Sequence, residues 1–91
     1  MARDFNFIVD NSVHWLDLES TVRSAGGELV ESILYRETFR DPKKDGDSKK
    51  RLLLSVMLRS QEATLTGEQA DEVCNRIISS CADKHSAALV S

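Results

Sequence analysis

The residues able to do chemistry in this chain concentrate between Arg36 and Arg59. Eight of the twelve Lys and Arg lie there (Arg36, Arg40, Lys43, Lys44, Lys49, Lys50, Arg51 and Arg59), against four acids, Glu37, Asp41, Asp45 and Asp47. That window is net +4. The remainder has four bases against eleven acids, net −7, for a formal total of −3. A cationic segment on an otherwise acidic chain is either a solvated loop or a surface for an anionic partner such as nucleic acid. Inside it stands one phenylalanine, Phe39, next to Arg40 and flanked by Arg36, Lys49, Lys50 and Arg51. A ring among cations is what a single stacked base with nearby phosphates needs. The same ring could instead cap the edge of a core.

Catalytic chemistry finds no matching constellation. Neither His14 nor His85 lies near a candidate nucleophile, and the acids are scattered over surface positions. Gly26-Gly27 reads as a helix stop, not a phosphate loop. Two cysteines without a CxxC and two histidines do not make a structural zinc site. The expectation is therefore no catalytic residue and no metal in these 91 residues.

The elements that must position the charged window read as strand, loop, strand. ELVESILYRETFR and KRLLLSVMLRS are apolar-alternating runs. Between them DPKKDGDSK holds the chain's only proline together with Asp41, Asp45, Gly46, Asp47 and Ser48, all turn formers. The pattern predicts a β-hairpin with an extended loop. In the second strand Leu52, Leu54, Val56 and Leu58 face one way, and Arg51, Leu53, Ser55, Met57 and Arg59 the other. In the first, Leu29, Ile33 and Tyr35 set a phase that becomes unclear past Arg36. A β-bulge there would exchange the faces.

Upstream, DFNFIVD over 4–10 alternates as a strand with Phe5, Phe7 and Val9 on one face. A helix follows over 15–25, with Leu18, Val22 and Ala25 at helical spacing and Gly26-Gly27 closing it. Downstream, Thr66 and Gln69 form a capping box, and Leu65 with Ala70 a hydrophobic staple. They open a helix that runs to about Asp83 with Ala70, Val73, Ile77 and Cys81 as its buried stripe. A weak final strand is expected over 86–90, through Ala87 and Leu89. Trp15 and Tyr35 read as core or core-edge residues. The order βαββαβ, with right-handed crossovers, predicts an α+β ferredoxin-like sandwich: a four-stranded antiparallel sheet with two helices on one face. The other face stays open, lined by Asn6, Ile8, Arg51, Leu53, Ser55, Met57 and Arg59. An RRM would stack bases on that face, but the third strand lacks the aromatic residues of that signature. Acylphosphatase shares the topology, yet the glycine-rich, arginine-containing loop after its first strand is replaced here by DNSVHW.

Ninety-one residues fit one domain, and Met1 almost abutting the first strand suggests an excised fragment of a larger chain. No apolar run approaches the roughly 18–20 residues of a membrane span, and MARDFNFIVD lacks a signal pattern. Cys74 and Cys81, seven apart on one helix, have backbones roughly 10 Å apart, too far for a disulfide. Free thiols fit a reducing, cytoplasmic compartment.

Motifs over nearly the whole length carry a resemblance. Arg3-Asp4 and Val9-Asp10 bracket the first strand. Ala25-Gly26-Gly27 is followed by Leu29. Lys50, Leu52, Leu54, Ser55, Arg59 and Ser60 lead into Glu62, Thr64, Leu65 and Thr66. In these the chain resembles the ferredoxin-fold anticodon-binding domain, the C-terminal domain of bacterial phenylalanyl-tRNA synthetase beta subunits. Departures are also present. The family's Phe-Asp-x-Tyr reads Arg36-Glu37-Thr38-Phe39 here. Arg51 stands where the family has serine, and Gln61 and Ala63 replace a proline and an arginine. The resemblance implies tRNA recognition, with Phe39 in place of the stacking tyrosine and Glu37 accepting a base-edge hydrogen bond. Arg40, Lys49, Lys50 and Arg51 would meet phosphates or sugar edges. It further implies a phenylalanine-specific tRNA anticodon stem-loop and a synthetase alpha subunit as partners. ATP and magnesium would be used elsewhere in a parent enzyme that joins phenylalanine to tRNA. The contrasting reading is a ferredoxin-like protein-interaction or small-ligand-sensing module that uses the open face without RNA.

Overall fold

The computed structural model describes residues 1–60 and 64–90. Strand β1 spans Ala2–Asp10, helix α1 Trp15–Gly26, strand β2 Val30–Phe39, a single helical turn α2 Pro42–Asp45, strand β3 Lys49–Leu58, helix α3 Gly67–His85 and strand β4 Ala88–Leu89. The strands form one antiparallel sheet in the order β2-β3-β1-β4. Apart from α2 this is the expected βαββαβ sandwich.

The alternation of β1 and β3 builds the core. Phe5, Phe7, Val9, Leu52, Leu54, Val56 and Leu58 are buried on one sheet face. They pack with Leu18 and Val22 of α1 and Ala70, Val73, Ile77 and Cys81 of α3. Each helix buries one apolar stripe because its 3.6-residue period brings those positions to one side. Gly26 permits the close turn from α1 into the sheet: a Cβ there would lie 2.1 Å from Val30 Cγ2. The next residues, Gly27–Leu29, form a 3-10 turn, so β2 starts at Val30 rather than near Glu28. Leu29 accordingly packs on the core from a turn instead of a strand.

At the start of α3, Thr66 Oγ1 accepts from Gln69 N (3.1 Å) and Gln69 Oε1 accepts from Thr66 N (3.0 Å), the reciprocal capping box. Leu65 and Ala70 are both buried. The helix continues to His85, two residues past its expected end, and Ser86 closes it in the left-handed conformation. That leaves room for only Ala88 and Leu89 in β4, shorter than 86–90, while Ala87 is buried beneath. Cys74 and Cys81 are free thiols, the latter buried. Burial pushes the Cys81 thiol up to about 11, and Cys74 is also raised, first by burial.

Candidate nucleic-acid interface

The register of β2 against β3 decides which side chains share the open face. Val30 opposes Leu58, Ile33 opposes Val56 and Tyr35 opposes Leu54, all on the core side. The ladder then skips Arg36, and Glu37 opposes Leu53, Thr38 opposes Leu52 and Phe39 opposes Arg51. One extra residue in one strand reverses the facing of everything after it. The bulge at Arg36 thus carries Glu37 and Phe39 onto the open face with Leu53 and Arg51. Without it both would point at the helices. A second irregularity lies between Val30 and Ser32.

Phe39 is 46% exposed. It does not cap the core. Tyr35, before the bulge, remains a core-edge residue: its ring packs on Trp15 at 5.1 Å between centroids. Glu37 is exposed on the same strand face as Phe39, two residues and roughly 6.8 Å away. Lys49 lies opposite Asp10 and continues the open face beyond Arg51. Arg40 is exposed just past the end of β2.

Two of the expected phosphate contacts are placed differently. Lys50 opposes Val9 in the ladder, so it belongs to the helix side of the sheet, and its Nζ donates to the Asn11 carbonyl (3.1 Å). Arg51 is on the open face but already engaged. Its Nε donates to Asp45 Oδ2 (2.7 Å) and its Nη2 to Asp45 Oδ1 (3.0 Å). Its guanidinium carbon lies 5.9 Å from the Phe39 ring centroid. The Arg51 bond holds the Asp45 carboxyl below the usual carboxylate range, and the same bond raises Arg51.

The loop that delivers Asp45 is ordered by its own sequence. The Asp41 side chain accepts from Lys44 N, and Pro42 fills a first-turn position where no N–H is needed. Gly46, at φ 90°, ends the turn in a conformation that favours glycine. Asn11 then ties the loop to the end of β1, its N donating to Ser48 O (2.8 Å) and its Nδ2 to Asp47 O (2.9 Å). Composition marked this stretch as turn-forming; the helical turn and its clip onto Arg51 were not expected. Asp45 and Arg51 are six residues apart across a reversal, so no local pattern advertises their pairing.

The open face also holds a depression of about 430 Å³, bordered by Asp4, Asn6, Arg36, Glu37, Leu53 and Ser55 among others; Phe39 does not line it. A polar chain runs along it: Arg36 Nε donates to Ser55 Oγ (3.0 Å), and Ser55 Oγ donates to Asp4. Asn6 Oδ1 is buried without a hydrogen-bond partner among the described residues. Arg36 reaches this chain because the bulge releases it from the ladder. Met57 and Arg59 extend the face away from Phe39, and Arg59 Nη1 donates to Glu31 Oε1 at 3.3 Å. No cluster of His, Cys, Asp or Glu suited to a metal ion occurs among the described residues. Among the described residues no helix is long and apolar enough to cross a membrane.

An antiparallel sheet covered by helices on one side and presenting an exposed ring, a carboxylate and cations on the other defines a ferredoxin-like domain. Its free surface is of the kind on which single-stranded nucleic acid is bound. A family model for the ferredoxin-fold anticodon binding domain matches residues 1–89, and the chain belongs to that family. It is similar to phenylalanine–tRNA ligase beta subunits. Identity is 42% over 90 residues to that of Rhodopirellula baltica (99% of this chain, 13% of the relative). It is 34% over 92 residues to that of Cereibacter sphaeroides (98% and 11%), and 32% over 88 residues to that of Streptomyces avermitilis (97% and 10%). The chain therefore spans only 10–13% of the length of these relatives. Residues 61–63, where the motif departs at Gln61 and Ala63, lie outside the described residues.

Proposed function

We propose that these 91 residues are one anticodon-binding domain of a longer phenylalanine–tRNA ligase beta subunit, acting in the cytoplasm on the anticodon stem-loop of phenylalanine-specific tRNA. The observation that carries this reading is the half-exposed Phe39 ring on the open face, opposite Arg51 and on one strand face with Glu37. Every base has a π face, so an exposed ring supplies stacking. Glu37 accepts a hydrogen bond from a base edge, which stacking alone cannot read. Lys49 and Arg40 meet phosphates at the rim. Lys50 and Arg51 belong to the proposed interface as well, Lys50 at its margin on the helix side of the sheet.

The parent enzyme joins phenylalanine to tRNA at the expense of ATP. On this reading the adenylate chemistry, the magnesium and the amino-acid site belong to other domains and to an alpha subunit, and this domain contributes recognition without catalytic residues. The test is titration of the 91-residue chain with a phenylalanine tRNA anticodon stem-loop at several salt concentrations. Binding that weakens linearly on a log–log plot supports the reading, because displaced counterions return at high salt. Self-association with no RNA affinity would overturn it in favour of a protein-interaction module.

A further inference from the structure

The tip of the β2–β3 hairpin, residues 40–48, lies beyond the last sheet pairs, Phe39 with Arg51 and Asp10 with Lys49. It is held on two sides. On the open face Asp45, whose side chain is 4% exposed, closes onto Arg51. At the end of β1, Asn11 donates to the carbonyls of Asp47 and Ser48. The same contacts engage the acids of the tip. Asp45 is neutralised by Arg51, a strand residue, and the Asp41 carboxylate accepts from Lys44 N as the cap of α2. The three cations of the tip, Arg40, Lys43 and Lys44, are all exposed, and their side chains make no hydrogen bond or salt bridge among the described residues.

We infer that α2 carries a second RNA contact: Lys43 and Lys44 bind the phosphate backbone of the duplex stem that adjoins the anticodon loop, whatever its sequence. This rests on the anticodon-binding reading above and extends it from the loop to the stem. Lysines on a mobile loop gain little from a phosphate, because binding must first order the chain. Here the ordering is built into the fold by the Asp41 cap, Pro42, the Asp45–Arg51 pair and Asn11, so that cost is met before RNA arrives. Position decides the partner. Phe39 is the last residue of β2 and the tip begins with the next one, so the tip meets RNA outside the nucleotides laid on the sheet. A stem brings the phosphates of two strands close together there. A lysine ammonium is a point charge on a flexible arm and can meet any of them. The α2 sequence, PKKD, holds no ring on which to stack a base, so the contact it can make is electrostatic.

The experiment titrates the unmodified chain, the double variant Lys43→Gln/Lys44→Gln and the charge-retaining Lys43→Arg/Lys44→Arg with the phenylalanine anticodon stem-loop across a salt series. It repeats the titrations with a stem-loop whose stem linkages are uncharged methylphosphonates and whose loop keeps its phosphates. Circular dichroism and a thermal melt check that each variant folds. On the ordinary stem-loop the glutamine pair should flatten the salt slope by about 1.5, since two cations no longer displace counterions. Affinity near 0.1 M salt should fall about thirtyfold as a result. The arginine pair should restore both quantities. On the neutral-stem RNA the glutamine pair should have no further effect, and discrimination between matched and mismatched anticodons should be the same for every variant. An unchanged slope on the ordinary stem-loop would show the lysines to be merely solvated and overturn the inference. Equal flattening on both RNAs would assign them to the backbone of the loop and overturn it too, as would a loss of anticodon discrimination. No RNA binding by the unmodified chain would overturn the anticodon-binding reading itself, an outcome distinct from these.

Discussion

Replacing Phe39 by alanine separates recognition from stability, and the structure sets the size of each effect. The residue is 46% exposed. An aromatic side chain buries about 150–250 Å² when fully enclosed, so truncation removes about 100 Å² of buried area. At about 25 cal/mol/Å² this is about 2 kcal/mol, less whatever the alanine still covers. The melting temperature should therefore fall by about 5–10 °C. That is well short of the 3–5 kcal/mol expected for an enclosed phenylalanine such as Phe7, which is 0% exposed. The fold survives, since domains of this size hold about 5–15 kcal/mol. Binding should suffer more. Losing one base–aromatic stack costs about 1–3 kcal/mol, so affinity for the anticodon stem-loop should drop roughly five- to a hundredfold. Leu53→Ala, one row along the same face, should lose less. The assay is fluorescence anisotropy with a labelled stem-loop at 15 °C, with thermal melts of the same preparations. Unchanged affinity beside a lowered melting temperature would assign Phe39 a packing role and remove the centre of the proposed interface.

Three further outcomes are expected. Lys49→Ala should lower the salt slope of stem-loop binding by about 0.7, whereas Lys50→Ala, on the helix side of the sheet, should change it by less than half as much; equal effects would show that the two sheet faces do not determine phosphate contact. Thr66→Ala removes the capping-box acceptor of α3 and should cost about 1 kcal/mol in urea unfolding, without altering RNA affinity. The Cys81 thiol should resist a bulky thiol reagent in the native state. Because its folded pKa, about 11, lies above the ordinary 9.0, its contribution to stability is fully present below pH 9 and lost as pH rises toward 11; denaturant midpoints for unmodified chain and Cys81→Ala, measured from pH 8 to 11, should converge over that window.

The strict alternation of β1 and β3 was sufficient by itself to name the core. Phe5, Phe7, Val9, Leu52, Leu54, Val56 and Leu58 are buried as the period of two requires, because successive side chains of a strand cannot share a face. The stripe of α3 and its capping box were equally legible, both being local patterns within one or two turns. The chemistry of the site was legible only as composition: a ring, a carboxylate and cations in one window. Which of them meet depended on the partner strand. The unpaired residue of a bulge is set by register against β3, so sequence could suggest the face change near Arg36 but could not settle where Phe39 pointed. Lys50 and Arg51 are adjacent cations with the same apparent prospects, yet one projects toward Asn11 and the other is held by Asp45. Electrostatic pairing depends on distance through space, and the loop that closes six residues of chain into a 2.7 Å contact exists only once β2 and β3 are side by side.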